Sequence, residues 1–219
     1  NVAMDTFMTL PYGGIKGGMV VVVADDPDAH YSSNEQDTRA LAAYGEIPCL
    51  EPENQQEAKD MAKAAFGFSE RTSLPVFLRS VSRISHASGD VLYGDVRTER
   101  NPLGFNKHYQ MPYRWNVYGP PGAVYKHKWL HEALENVKAQ ADTCPFNKLE
   151  KPAGAKIGVL ATGVGAAYAR EALNRLGAAQ DVAFLKLGLV FPLAQKLAKH
   201  VEMQESVKAV WPGVICLAQ

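Results

Sequence analysis

Strand, helix and strand follow one another closely between Ile47 and Ser80, and that order limits the chain to few architectures. The short run "IPCL" (Ile47–Leu50) leads into "EPENQQEAKDMAKAAFGFSER", and "VFLRSV" follows just past Pro75. Asn54 precedes Glu57 by three residues, a helix-start signature. Ala58, Met61, Ala62, Ala65 and Phe66 then recur at the spacing of one buried helical face. A unit of this length implies a βαβ crossover and a parallel sheet. Upstream, Met19–Ala24 in "GGMVVVVADDP" is apolar on both faces, the pattern of a parallel strand covered from either side.

A second segment repeats the logic. "KIGVLATGVGAAYAREALNRLG" reads as strand, glycine turn and helix, with Gly177 as the C-terminal stop. "DVAFLKLG" is the next strand, and Pro192 is placed to open a short helix over "LAQKLAKHVE". "VKAVWPGVICLA" holds a final strand or two. Between the segments, residues 85–121 carry no sustained period, although Tyr109, Tyr113, Trp115 and Tyr118 point to packing. "AVYKHKWLHEALENVKAQAD" then returns to helical spacing. The expected fold is α/β with two parallel-sheet units. Met19–Ala24, Ile47–Leu50 and Val76–Ser80 form one sheet, and Lys156–Ala161 and Val182–Leu187 the other.

Composition excludes several classes of function. Lys and Arg together number 23, as do Asp and Glu, so the formal charge is zero and nucleic acid is not the expected partner. No apolar run reaches the roughly 20 residues of a membrane span. The cysteines at 49, 144 and 216 are far apart, which argues against a disulfide framework or a metal knuckle and for a reducing cytoplasm. "NVAMDTFMTL" begins in helical spacing and the chain stops on a strand-like run, so it reads as a piece of a larger protein.

The chemistry is densest from Asp25 to Arg39, just past the first strand, where open α/β sheets place their ligands. Asp25, Asp26, His30, Asn34, Glu35 and Asp37 are suited to binding a polar substrate, orienting a cofactor or shuttling protons. Individually each also serves as ordinary cap or turn chemistry, with Asn34 or Asp37 starting the next helix. His86 follows a strand and either faces the same cleft as His30 or is a structural histidine. "TGVGAA" (Thr162–Ala167) sets glycines between strand and helix as a dinucleotide fingerprint does, with Asp181 near the place of the ribose acid. The bland alternative is a tight turn. His127 and His131 lie four apart on a helix, but no third ligand is near in sequence. With Lys126 and Lys128 beside them they read as a solvated face, so no metal site is expected.

The runs "NVAMDTFMTLPYGGIKGGMVVVVADDPDAHYSSNEQDTR", "IPCLEPENQQEAKDMAKAAFGFSERTSLPVFLRSVSRISH" and "KLGLVFPL" resemble the thiamine-dependent 2-oxoacid:ferredoxin oxidoreductases. Within that family they are most similar to the α subunits of the indolepyruvate enzymes. The resemblance implies that residues 1–90 are the second half of a pyrimidine-binding domain. Residues 91–151 would be an irregular connector with a helix, and 152–219 the first half of a transketolase C-terminal-like domain.

It further implies thiamine diphosphate with magnesium, iron–sulfur clusters, a second oxidoreductase subunit, ferredoxin, a 2-oxoacid and coenzyme A, in an oligomer. The reaction implied is oxidative decarboxylation of an arylpyruvate to its acyl-CoA. His30, Glu35 and Asp37 would then be catalytic, and Arg39, Asn34 and Gln36 would bind substrate, Arg39 as the partner of its carboxylate. Asp25 and Asp26 would face the cofactor. Asp28 stands where the family has a glycine, and "HYSSNEQD" replaces "HSSQNEQD", so the turn is expected to be reshaped. Catalysis by this chain alone is not expected. The alternatives are a scaffold module of a larger complex and an NAD-binding α/β domain.

Overall fold

The computed structural model describes residues 3–96, 98, 104 and 119–202. Tyr109, Tyr113, Trp115, Tyr118, Cys216 and the expected last strand lie outside them. The chain opens with helix α1 (Met4–Gly13). Strand β1 (Val20–Asp25) leads through the polar loop to α2 (Arg39–Tyr44) and the short β2 (Cys49–Leu50). Helix α3 (Gln55–Thr72) crosses back to β3 (Val76–Val81), which runs directly into α4 (Ser82–Ser85). After the connector come α5 (Gly122–Ala141), β4 (Lys148–Glu150), β5 (Ile157–Thr162), α6 (Gly163–Arg175), β6 (Val182–Leu187), β7 (Leu189–Phe191) and α7 (Gln195–Glu202).

These strands make two sheets, ordered β1-β3-β2-β7 and β4-β6-β5. The expected parallel pairings are present: β1 and β2 flank β3, and β5 lies beside β6. Both sheets are nevertheless mixed. β4 runs antiparallel to β6, and β7 leaves the second segment to add antiparallel to β2. That step pivots on Gly188, whose carbonyl accepts from Glu51 N at 2.8 Å and where any Cβ would collide with Phe146 and Met61.

Helix α3 starts as its residues dictate. The Asn54 side chain accepts from Glu57 N at 2.9 Å, and Glu57 returns a carboxylate oxygen to Glu53 N. Met61 and Ala65 from its inner face join one core with Leu50 and Leu78 of the first sheet and Leu160, Leu185 and Leu187 of the second. Leu130 and Val137 of α5 close that core. A buried ion pair between Lys186 on β6 and Glu57 also ties the second sheet to α3.

Four expectations are corrected. β1 is an edge strand rather than a doubly covered one, and Val22 at its middle is 68 % exposed. Pro192 does not open a helix. It follows Phe191 in a cis peptide, and α7 begins three residues later, where Asp142 accepts from Lys196 N and Leu197 N. Helix α2 begins after Thr38 rather than at Asn34 or Asp37. Lys126 is not solvated: it is buried, 4.0 Å above the Trp129 ring, with its ammonium donating to Gly13 O.

Candidate functional site

The loop from Asp26 to Thr38 folds around Asp26 and around Asp25, the last residue of β1. Asp26, at the carboxyl end of β1, accepts from Tyr31 N at 2.6 Å, Ser32 N at 2.7 Å and the Ser82 hydroxyl at 2.6 Å. Those bonds, the Ser82 one foremost, hold its carboxyl well below the usual carboxylate range. Between them Asp28 takes a φ of 65° and Ala29 one of 48°. Aspartate tolerates the left-handed region better than most residues, so the turn keeps the conformation a glycine would take.

Asp25 turns inward. Its Oδ2 accepts from Thr38 N at 2.7 Å, from the Thr38 hydroxyl at 2.9 Å and from Arg79 Nε at 2.6 Å. Arg79, on β3, reaches Glu51 with Nη1 at 2.5 Å and lies 3.7 Å from Asp37 with Nη2. Arg39 completes the set. It grips Asp37 through Nε and Nη2 and reaches the Thr162 hydroxyl at 3.3 Å. Two guanidinium groups are thus interleaved with three carboxylates where both sheets meet. Burial raises the Glu51 carboxyl above its ordinary pKa against the pull of Arg79 and Arg39. Asp37 also loses solvent, but Arg39 and Arg79 outweigh that and keep it below its ordinary value.

This network decides the fate of the glycine turn. Gly163 has a φ of 48°, and a Cβ there would collide with the Glu51 carboxylate. A carboxylate packed against the turn's first glycine would repel a pyrophosphate bound at that turn. The fingerprint's third small position is also filled by Tyr168. Asp181 is exposed, and its carbonyl accepts from Lys156 N and Ile157 N at the start of the strand pair. These features do not fit the NAD reading.

A cavity of about 450 Å³ opens at the carboxyl ends of β1 and β3, within the usual range of small-ligand sites. It is lined by His30, Tyr31, Ser82, Arg83, His86, Ala87 and Tyr168. Arg83 lies over the Tyr168 ring, 5.6 Å from its centroid, and its Nη2 is 3.3 Å from His30 Nε2. Because a guanidinium only donates, that histidine nitrogen is the acceptor. Tyr31 stacks on His86 with centroids 4.8 Å apart. No carboxylate is among the lining residues. The walls therefore offer one fixed cation, two imidazoles and two aromatic faces, which suits a small anion bearing a flat apolar group.

Of the residues picked from sequence, His30 reaches this cavity, and His86 shares it. Asp26 shapes its wall by fixing Tyr31 and Ser82. Asp25, Asp37 and Arg39 meet instead in the ion network, while Asn34, Glu35 and Gln36 are exposed on the loop. Sequence reasoning missed Arg83, Tyr31 and Tyr168. Arg83 carried a legible signal, since "VSRISH" directly follows a strand whose carboxyl end faces the ligand side. Arg79 carried another, because a charge inside an apolar strand needs a buried partner. The structure also gathers Glu46, His127 and His131, with their ligand atoms all within 4.8 Å of one another. Glu46 is the third group that the local sequence lacked.

No protein-family model matches the chain. Its sequence is 47 % identical over 220 residues to the indolepyruvate oxidoreductase subunit IorA of Pyrococcus abyssi, covering 98 % of this chain and 34 % of that protein. The IorA subunit of Methanothermobacter marburgensis is 39 % identical over 212 residues, with 96 % of this chain and 33 % of that protein covered. Among solved structures, a 2-oxoglutarate:ferredoxin oxidoreductase from Magnetococcus marinus, with 2-oxoglutarate, coenzyme A and succinyl-CoA bound, superposes with a TM-score of 0.62. That match is 15 % identical in sequence and covers 91 % of this chain and 42 % of the other, so it speaks for the fold. The chain spans about a third of the length of the curated relatives it matches. Its sequence is thus similar to the IorA subunits of indolepyruvate oxidoreductase over nearly its whole length and over about a third of theirs.

Proposed function

We propose that the chain supplies a substrate-binding wall in an oxidoreductase acting on aromatic 2-oxoacids, with ferredoxin as electron acceptor and an acyl-CoA as product. The observation that carries this reading is the cavity in which Arg83, His30 and His86 stand beside the rings of Tyr31 and Tyr168. An arylpyruvate presents a carboxylate, a keto oxygen and a flat ring. Arg83 pairs with the carboxylate, an imidazole donates to the keto oxygen, and the tyrosines cover the ring. Residues 1–90 and 152–219 then belong to the pyrimidine-binding and transketolase C-terminal-like domains of a longer subunit, joined through 91–151. A second subunit and the oligomer follow from the same reading.

Thiamine diphosphate would supply the carbanion chemistry of such an enzyme. The described residues do not fit its magnesium–diphosphate end. The cavity has no carboxylate to hold magnesium, and the metal-capable group Glu46, His127 and His131 is nitrogen-rich, unlike an oxygen-lined magnesium site. With three cysteines in all, the chain also has fewer than the four thiolates an iron–sulfur cluster takes.

Arg39 is less suited to the substrate than its chemistry suggested, since Asp37 and Thr162 already engage its guanidinium. It positions the loop. The test is Arg83→Ala in the complete enzyme with its partner subunit, followed by steady-state reduction of ferredoxin. Losing a charge-assisted contact of about 1.5–3 kcal/mol lowers kcat/KM for indolepyruvate roughly tenfold to a hundredfold, mainly through KM. An unchanged KM in Arg83→Ala contradicts the reading.

A further inference from the structure

We propose that Glu46, His127 and His131 form a three-ligand site for a zinc-class divalent cation that clamps the end of α2 onto α5. The two histidines lie one turn apart on α5, with ring centroids 4.2 Å apart. The Glu46 carboxylate arrives from the turn after α2 and divides its oxygens between them. Oε1 is 2.8 Å from His131 Nε2, and Oε2 is 3.4 Å from His127 Nε2. Bonds of 2.0–2.1 Å in tetrahedral geometry separate neighbouring ligand atoms by about 3.3 Å. The two carboxylate–imidazole separations bracket that value, and with all three ligand atoms within 4.8 Å of one another, side-chain rotations bring them round one ion.

Two imidazoles and one carboxylate are the donor set zinc prefers and that magnesium and calcium do not. The histidine side chains are 46 % and 57 % exposed, which leaves an entry path and a fourth position for water. Glu46 holds a φ of 57°, a conformation few residues other than glycine, asparagine and aspartate adopt, and in it the side chain meets both rings at once. Tyr12 of α1 stacks on His127 at 5.2 Å, so the bound ion also stiffens the contact of α1 with α5. Glu46 and His131 are 85 residues apart in sequence, and the ion joins them across the fold.

A carboxylate bridging two imidazoles through their protons gives the same resting geometry, and metal titration separates the two cases. The full chain, treated with a chelator, is titrated with Co2+ and then Zn2+ as the wild type, His131→Ala, Glu46→Gln and Lys128→Ala. The expected result is one equivalent of Co2+ with tetrahedral visible absorption in the wild type and Lys128→Ala, displaced by Zn2+. At a hundredfold excess over Kd, zinc raises the melting temperature by about 5–10 °C. His131→Ala loses this equivalent, and Glu46→Gln binds at least about tenfold more weakly. Equal binding by wild type and His131→Ala overturns the proposal, as does the absence of saturable binding in a wild-type chain that melts cooperatively.

Discussion

Replacing Arg79 by methionine takes the guanidinium partner from two buried carboxylates at once and leaves Asp25 with only the Thr38 bonds. The guanidinium side chain is 3 % exposed and holds Asp25 at 2.6 Å and Glu51 at 2.5 Å. Asp25 Oδ1 and Glu51 Oε2 have no partner among the described residues, so neither acid has a spare bond on its other oxygen. Removing one member of a buried charge pair costs about 3–5 kcal/mol, a large part of the roughly 5–15 kcal/mol that holds a domain folded. The effect also depends on pH. Burial already raises the Glu51 carboxyl while Arg79 opposes the shift, so the substitution raises it further. A carboxyl raised in the folded state contributes stability below its unfolded value of about 4.3 and loses it as pH rises through the folded value. The deficit of Arg79→Met is therefore largest near pH 8 and shrinks towards pH 5. Urea unfolding of both proteins, followed by tryptophan fluorescence at the two pH values, measures it. A variant within about 0.5 kcal/mol of wild type at pH 8 would falsify the view that Arg79 neutralises this network.

Asp26, held low chiefly by Ser82, contributes stability above the unfolded carboxylate value of about 3.9 that is lost as pH falls through its folded value. Asp26→Asn should accordingly flatten the acid limb of a melting-temperature curve, and parallel curves would rule this out. The Cys49 thiol is pushed up to about 12 by burial, with Glu51 adding to it. At pH 8 only about one thiol in ten thousand is then ionised, so native Cys49 resists a thiol reagent far longer than half-buried Cys144, as site-resolved mass spectrometry would show. Arg39→Ala removes the bonds to Asp37 and Thr162 and should lower both melting temperature and turnover, whereas Asp181→Ala stays within about 0.5 kcal/mol of wild type. The reverse order would return the loop's role to question.

Local pattern carried much of the fold. The Asn54–Glu57 start of α3, its Met61 and Ala65 face, and the strand over Val182–Leu187 depend on residues close in sequence, and the structure has them where their spacing put them. What escaped depends on the rest of the molecule. Nothing in "GLVFPL" says that β7 pairs with β2 more than a hundred residues upstream. Hydropathy likewise cannot distinguish an edge strand such as β1 from a central one, because the same valines suit both. The loop's acids were conspicuous, but Asp25 and Asp26 are engaged by Arg79, Thr38 and Ser82, most of them distant in sequence. The cavity assembles Tyr31, Arg83 and Tyr168 from a loop and two helices, a convergence no local window displays.

On the proposed reading, the cavity beside Arg83 receives an aromatic 2-oxoacid. A crystal structure of the intact enzyme with an unreactive arylpyruvate analogue tests it most directly. The analogue's carboxylate is expected about 3 Å from the Arg83 guanidinium, with its ring against Tyr31 or Tyr168. A carboxylate bound at Arg39, or an analogue lodged away from this cavity, would contradict it.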